Sequence, residues 1–145
     1  MHITLKFLGD AEEKLIPKIE ENIEKSVENV EPFEIKLKNI GAFPNLNYIK
    51  VIWIGTENSE KIAEIAKKID EKLSKIGFKK EKRKFSAHIT LARVKSGRNK
   101  EELLKILKKY KDEEFLKMKV DKIKLKKSEL TTKGPIYTTL KEIEI

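Results

Sequence analysis

The tetrapeptide His-Ile-Thr-Leu occurs twice in this chain, at residues 2–5 and at residues 88–91, and it holds both of the protein's histidines. In an extended strand, alternate side chains point to opposite faces, so each copy places its histidine and threonine on one face and its isoleucine and leucine on the other. We expect the apolar faces to be buried. The polar faces would then bring two imidazoles and two hydroxyl groups to one cleft, which suffices for metal-free acid–base chemistry on a phosphate.

The order of the predicted elements repeats after each tetrapeptide. The first copy is followed by a helix, a strand over 33–43 and a strand over 48–54. The second copy is followed by a helix over 99–110, a strand over 118–130 and a last strand over 136–145. An internal repeat constrains the architecture strongly. It predicts an α+β fold with two pseudo-symmetric halves, each presenting one His-x-Thr strand.

The two halves differ on their N-terminal sides. A strand and a helix (58–76) precede the second tetrapeptide, whereas Met1 alone precedes the first. We therefore interpret residues 1–145 as a single bilobal domain that lacks an N-terminal strand and helix. Either Met1 is an internal methionine of a longer natural chain, which we favour, or the element is lost and a dimer covers the open sheet edge.

Local patterns predict the elements at the start of the chain. Residues 2–8 alternate between apolar and polar side chains and predict a strand. Pro17 suits the first position of a helix, and an apolar stripe at helical spacing continues from there to Val30. We expect Pro32 to end this helix.

Further along the chain, glycine, proline and asparagine at 41–45 predict a loop. A strand over 83–94 surrounds the second tetrapeptide. The alternation of apolar residues slips between Val120 and Ile123, which we interpret as a bulge within one strand.

The composition limits the class of protein. No cysteine is present, which excludes disulfides and thiolate metal sites, and no apolar run approaches the roughly 20 residues of a membrane span. We expect a cytoplasmic protein without a membrane partner. The net charge of +9 favours a polyanionic partner such as nucleic acid, although a surface rich in lysine and glutamate is equally typical of heat-adapted proteins.

Three kinds of site could use the two histidines. A metal site is disfavoured because no Asp, Glu or Cys lies at ligand spacing beside either one, and a serine-type nucleophile because no nucleophile elbow is present. A paired acid and base fits best, since one imidazole can accept a proton while the other donates one. The hydroxyl groups of Thr4 and Thr90 could then hydrogen-bond the phosphate oxygens. The plainer alternative, two ordinary strand histidines, is disfavoured by the repetition of all four residues.

The chain resembles the two-histidine (2H) phosphoesterases, specifically the RNA 2′,3′-cyclic phosphodiesterases, which are also named 2′-5′ RNA ligases. The similarity rests on five segments in the family's order, which are HITLKFLGD, PFEIKLKNIGAFP, VIWIG, FSAHITLAR and SELTTKGPIY. It implies two lobes of antiparallel sheet with outer helices and a central cleft where both motifs meet. It also implies an enzyme that opens a terminal 2′,3′-cyclic phosphate on RNA to a 2′-phosphate, without metal or cofactor.

By this resemblance, His2 is the proton donor for the departing 3′ oxygen and His88 is the proton acceptor that activates water. Thr4 and Thr90 hold the phosphate. The implied partner is RNA with a 2′,3′-cyclic phosphate end, with tRNA among the candidates, and no protein partner is predicted. Two alternatives stay open: an RNA-end-binding module without turnover, and 2′-5′ RNA ligation through the same residues.

Three basic residues are candidates for further phosphate contacts. Lys6 shares strand parity with His2, so we expect it to face the phosphate. Arg93 is similar to the arginine of the family's HxTxAR pattern. Its odd offset from His88 turns it away from the site unless a bulge or the strand end intervenes, and Arg83 has the same odd offset.

Three aromatic residues could stack on a base, namely Phe43, Tyr48 and Trp53. We expect Phe43, in its predicted loop, to be the stacking residue. Trp53 lies between Ile52 and Ile54 in the sequence, and we expect it to be part of the core.

Overall fold

Three α-helices and six β-strands make up the fold over residues 2–132 and 134–145, which this computed structural model describes. The helices are α1 (Ile16–Val27), α2 (Glu60–Ser74) and α3 (Lys100–Lys109), and a 3-10 turn (Glu13–Leu15) precedes α1. The strands are β1 (Phe33–Pro44), β2 (Ile49–Glu57), β3 (His88–Arg93), β4 (Glu114–Val120), β5 (Lys122–Thr131) and β6 (Gly134–Glu144). No helix in these ranges is long and apolar enough to cross a membrane.

The strands form two antiparallel sheets, which confirms the predicted α+β class. Strands β3, β2, β1 and β4 lie side by side in that order, and β5 pairs with β6 in a separate hairpin. Strand β1 is an interior strand of the larger sheet because it pairs with β2 on one edge and with β4 on the other. Its Ile35 and Leu37 are almost fully buried on one face. Lys36 and Lys38 point to the opposite face, as the alternation predicts.

Helix α2 contributes to both hydrophobic clusters of the protein. Its residues Ile65, Ile69 and Leu73 pack with α1 and with the β5–β6 hairpin. At its N-terminal end, Ile62 packs against the larger sheet. The predicted apolar stripes of α1 and α2 are therefore confirmed, and α2 connects the two parts of the core.

The first tetrapeptide does not lie in a strand, contrary to the prediction for residues 2–8. Ile3, Leu5 and Leu8 are nonetheless half-buried, and Leu5 packs against both hydrophobic clusters. An alternating pattern reports which side chains are buried, but a strand also needs a neighbour that completes its hydrogen bonds. No strand in the described part of the chain pairs with this segment.

Helix α1 ends earlier than the proline signal suggests. It stops at Val27, and Asn29 adopts a left-handed conformation with φ 66°. Asparagine tolerates this region, so it can end a helix before the chain reaches a proline. The prediction that Pro32 ends the helix was wrong by several residues, and Val30 lies beyond the helix.

The predicted loop at 41–45 is also largely wrong, because β1 continues through Pro44. Asn39 has φ 63° and interrupts the regular pairing, since the register with β2 shifts between Lys38 and Ile40. Strand β1 therefore continues past an irregular position at Asn39 and through most of the predicted loop.

The slip in alternation near Asp121 marks a change of sheet and not a bulge. Strand β4 ends at Val120 in the larger sheet, and β5 begins at Lys122 in the hairpin. The strand predicted over 83–94 is likewise shorter, because only His88–Arg93 is paired. Sequence alternation does not distinguish one long strand from two strands that face different clusters.

A largely buried ion pair attaches the N-terminal segment to α2. The ammonium group of Lys6 binds the carboxylate of Asp70, and the two side chains are 6% and 13% exposed. Asp70 Oδ1 also accepts a hydrogen bond from the Glu81 amide at 3.0 Å. Burial by itself would raise the pKa of Asp70, but the hydrogen bonds from Lys6 and from Glu81 outweigh it and lower the pKa.

We expect Asp70→Asn to lower the free energy of unfolding by about 3 kcal/mol at neutral pH, because it leaves the buried Lys6 without a counter-charge. The folded-state pKa of Asp70 is lowered, so the pair stabilises the fold above the unfolded pKa of roughly 3.9. This stabilisation is lost as the pH falls through the lower pKa of the folded state. Urea denaturation between pH 7 and pH 3 measures it, with the exposed Asp112→Asn as the control. A loss equal to that of the control would contradict the prediction.

Candidate active site

His88 has one ring nitrogen fixed by the backbone and one left free. It is the first residue of β3 and is half-buried. Its Nδ1 lies 2.8 Å from the carbonyl oxygen of Ser86. A carbonyl oxygen can only accept, so Nδ1 carries the hydrogen and donates it. The remaining nitrogen, Nε2, is therefore the one that can exchange a proton with a substrate or with water.

Burial of Ile89 sets the direction in which its neighbours point. Ile89 is 3% exposed and belongs to the hydrophobic cluster beneath the larger sheet. His88 and Thr90 consequently point to the opposite, open face, where Thr90 is exposed and lies across from Trp53. The structure thus places the second histidine and its threonine on one face, as the tetrapeptide predicts.

An aromatic group borders His88 on the open face. The ring centroids of Phe43 and Trp53 are 5.2 Å apart and stacked. The imidazole of His88 meets Phe43 edge-on at 5.3 Å and Trp53 at 6.4 Å. The expectation that Trp53 is a core residue was wrong, since it is only half-buried and belongs to neither buried cluster. Phe43 lies on β1 and not in a loop, but the residue is 39% exposed and its ring lies beside His88.

Trp53 can occupy this position because Gly41 has no side chain. A Cβ atom built on Gly41 would lie 2.2 Å from Cζ2 of the indole, far inside van der Waals contact. On the other side of the tryptophan, a Cβ on Gly55 would lie 3.2 Å from Cζ3. The indole Nε1 is buried and has no hydrogen-bond partner among the described residues. We did not identify Gly41 from the sequence; its one signal was a glycine inside an otherwise alternating strand.

A bulge in β3 turns Arg93 toward the face that carries His88. Thr90 lies opposite Trp53, but Ala92 lies opposite Ile52, so Leu91 is the extra residue. Arg93 consequently lies opposite Val51, which shares a face with Trp53. The extra residue compensates for the odd sequence offset between His88 and Arg93. The guanidinium of Arg93 is therefore on the same side of the sheet as His88.

The first tetrapeptide reaches the core cluster that lies under the second. Ile3 and Leu5 pack against the cluster that contains Ile89, while His2 and Thr4 are exposed. His2 makes no hydrogen bond, ion pair or ring contact with the residues that the structure describes. The isoleucines of both tetrapeptides therefore share one cluster, and both histidines lie on the solvent side of it. Leu91 is 47% exposed and belongs to neither cluster, so the expectation that both apolar faces are buried was wrong for this residue.

Lys6 does not join His2 and Thr4, contrary to its predicted place at the phosphate. Its ammonium binds Asp70 and also donates to the carbonyl oxygen of Lys79 at 2.7 Å. The shared parity fails because the segment is not a regular strand, and Leu5 and Lys6 are both turned inward. Among the described residues, no three His, Cys, Asp or Glu side chains converge in a group that could hold a metal ion.

Comparison with known proteins decides the family. A family model of the 2′-5′ RNA ligase superfamily matches residues 1–131. The chain belongs to this superfamily. It is similar to the RNA 2′,3′-cyclic phosphodiesterase of Methanocaldococcus jannaschii, with 50% identity over 142 residues that cover 98% of this chain and 79% of that relative. The enzyme of the same name from Methanothermobacter thermautotrophicus is 39% identical over 140 residues, covering 97% of this chain and 76% of the relative.

Solved structures share the fold of this chain. A protein of Thermus thermophilus superposes with a TM-score of 0.83 at 27% identity, covering 99% of this chain and 76% of that chain. The E. coli LigT structure complexed with 3′-AMP gives a TM-score of 0.66 at 19% identity, with the same coverage, and supports the fold alone. The family model and the relatives confirm the resemblance inferred from the five sequence segments.

We expect Gly41→Ala to displace Trp53, because the added methyl group would overlap the indole ring. Overpacking of this kind costs about 1–3 kcal/mol of folding free energy. Trp53 is the one tryptophan of the chain, so its emission spectrum should shift to longer wavelength as the ring becomes exposed. Gly97→Ala is the matched control, since nothing lies within 4 Å of a Cβ there. An unchanged spectrum in Gly41→Ala would show that the indole does not depend on the glycine.

Proposed function

We propose that this protein is a metal-independent RNA 2′,3′-cyclic phosphodiesterase. The observation that carries the proposal is the orientation of His88, whose Nδ1 hydrogen is committed to Ser86 and whose Nε2 is free on the open face. The names of the relatives supply the reaction, because proteins up to 50% identical over almost the whole chain are RNA 2′,3′-cyclic phosphodiesterases. These names do not favour the alternative of an RNA-binding module without turnover.

In the proposed reaction, His88 Nε2 accepts a proton from a water molecule as the water oxygen attacks phosphorus. The bond between phosphorus and the 3′ oxygen breaks, and His2 donates a proton to that oxygen. The products are a 2′-phosphate and a free 3′ hydroxyl group, so one water molecule is consumed and both histidines have exchanged one proton. General acid–base catalysis of this kind typically contributes 10²–10⁴-fold to a rate.

Other side chains are assigned to binding. Thr4 and Thr90 each lie two residues from a histidine and would donate hydrogen bonds to the non-bridging oxygens. Arg93 would add a charged pair of donors from the same face as His88. Phe43 presents an exposed ring on which a base can stack. Lys6 is assigned to holding the N-terminal segment, since its ammonium is occupied by Asp70.

The proposed substrate is an RNA end, and tRNA fragments with a 2′,3′-cyclic phosphate are one candidate. We infer that the reaction takes place in the cytoplasm, because a chain without cysteine has no disulfide that would require an oxidising compartment. Neither assignment affects the chemistry at the two histidines.

We expect the protein to hydrolyse a cyclic-phosphate RNA end in the presence of EDTA, with a bell-shaped dependence of rate on pH. His2→Ala and His88→Ala should each lower kcat by about a hundredfold or more, because each removes one of the two proton transfers. Chromatography of the products distinguishes a 2′-phosphate from a ligated RNA. Full activity in either variant would refute the acid–base assignment. RNA binding without any hydrolysis by the unmodified protein would support the binding module instead.

We expect Arg93→Lys to lower kcat/KM by about tenfold, because an ammonium cannot replace the two parallel hydrogen bonds that a guanidinium gives to a phosphate. Arg98→Lys is the matched control, since Arg98 lies in the exposed turn after β3. The same steady-state assay compares the two variants. If both retain the kcat/KM of the unmodified protein, Arg93 has no part in phosphate binding.

A further inference from the structure

The loop over residues 79–84 (KKEKRK) concentrates positive charge near both tetrapeptides. Five of its six residues are cationic, which gives a net charge of +4 in a chain whose total is +9. All six residues are exposed. Within the described part of the chain, none of the five cationic side chains takes part in an ion pair. The loop therefore presents its charge to solvent.

Hydrogen bonds hold the backbone of this loop in place. Asp70 accepts from the Glu81 amide, and Lys6 donates to the Lys79 carbonyl oxygen. The carboxylate of Glu81 is used locally, because its Oε1 accepts from the amides of Lys82 at 3.0 Å and Arg83 at 3.3 Å. Both carboxylates thus bind backbone amides of the loop, which leaves its cations free to meet a ligand. A fixed backbone lowers the entropic cost of binding.

The loop also lies close to the proposed reaction centre. Residues 79–83 line a concavity on the surface together with Lys6 and Phe7. Arg83 precedes His88 by five residues, and five extended residues span at most about 18 Å. On the other side, Lys6 follows His2 by four residues and touches the loop directly. A polyanion that ends at the two histidines would therefore pass near these cations.

Two lysines of β1 on the open face of the larger sheet are not equivalent to those of the loop. Lys36 pairs with Glu114 at 3.5 Å, and Lys38 pairs with Glu57 at 2.8 Å. The hydrogen bond from Lys38 lowers the pKa of Glu57, which keeps that carboxylate ionised. These two lysines are neutralised locally, whereas the charge of the loop is not.

We propose that residues 79–84 bind the sugar–phosphate backbone of the RNA a few nucleotides away from its cyclic end. The inference rests on the proposed function and extends it, since it makes the preferred substrate an oligonucleotide and not a cyclic mononucleotide. Each phosphodiester carries one negative charge, and lysines recognise that charge independently of the base sequence. The loop would thus add affinity for the RNA strand without taking part in the chemistry.

The test compares two substrates, 2′,3′-cyclic AMP and an RNA of about ten nucleotides with a 2′,3′-cyclic phosphate end. For Lys80→Ala/Lys82→Ala, we expect the KM for the oligonucleotide to rise about tenfold at low salt. The kcat/KM for the oligonucleotide, divided by the kcat/KM for the mononucleotide, should fall by the same factor. The slope of log KM for the oligonucleotide against log salt concentration should decrease by up to about 1.4, because each lost charge removes roughly 0.7 from the slope. Lys105→Ala/Lys108→Ala removes two exposed lysines from α3 and is the control.

The outcomes separate this inference from the proposed function. If the unmodified protein hydrolyses neither substrate, the proposed function fails. If it hydrolyses both and the loop variant keeps the substrate ratio and the salt dependence of the α3 control, the assignment of the loop is overturned. A loss confined to the oligonucleotide and to the loop variant supports it. Thermal unfolding of both variants checks that neither result comes from a destabilised fold.

Discussion

Burial of one isoleucine, Ile89, determines how the candidate site is built. Its side chain enters the hydrophobic cluster beneath the larger sheet, so the residues on either side of it must face outward. The same cluster receives Ile3, the residue that follows His2. Two short segments far apart in the sequence are thus attached to one core by equivalent apolar residues. The histidines are positioned by what their neighbours bury, and His88 additionally by the Ser86 carbonyl oxygen.

Backbone irregularities decide which other side chains join His88. Without the extra residue at Leu91, Arg93 would face the core side of the sheet; the bulge returns it to the open face. Gly41 also determines the position of a side chain. Because it has no side chain of its own, the indole of Trp53 can lie across β1 and next to Phe43. In both cases a local feature of a strand, a bulge or a glycine, places a further side chain on the face that carries His88. Regular alternation of side chains alone does not predict these positions.

The sequence predicts those parts of the protein that depend on periodicity. Alternation around Ile89 and the helical stripes of α1 and α2 are readable because burial repeats at a fixed spacing. It does not predict features set by a partner elsewhere in the chain. The inward turn of Lys6 depends on Asp70, which lies 64 residues away, and the bulge at Leu91 depends on its pairing with β2. Trp53 looked like a core residue because its neighbours are apolar, and only the position of Gly41 across the sheet explains why it borders the site.

Asp70 links the N-terminal segment to the loop over residues 79–84, a contact that sequence periodicity does not predict. One carboxylate binds Lys6, which follows the first tetrapeptide, and the amide of Glu81, which lies in the basic loop before the second. The loop and the segment that carries His2 are therefore held together by this carboxylate and by the hydrogen bond from Lys6 to the Lys79 carbonyl oxygen. His88 needs no such tie, because it is held by β3 and by Ser86. The two histidines are supported unequally: one by regular strand pairing, the other by an ion pair that also fixes the most basic loop of the chain.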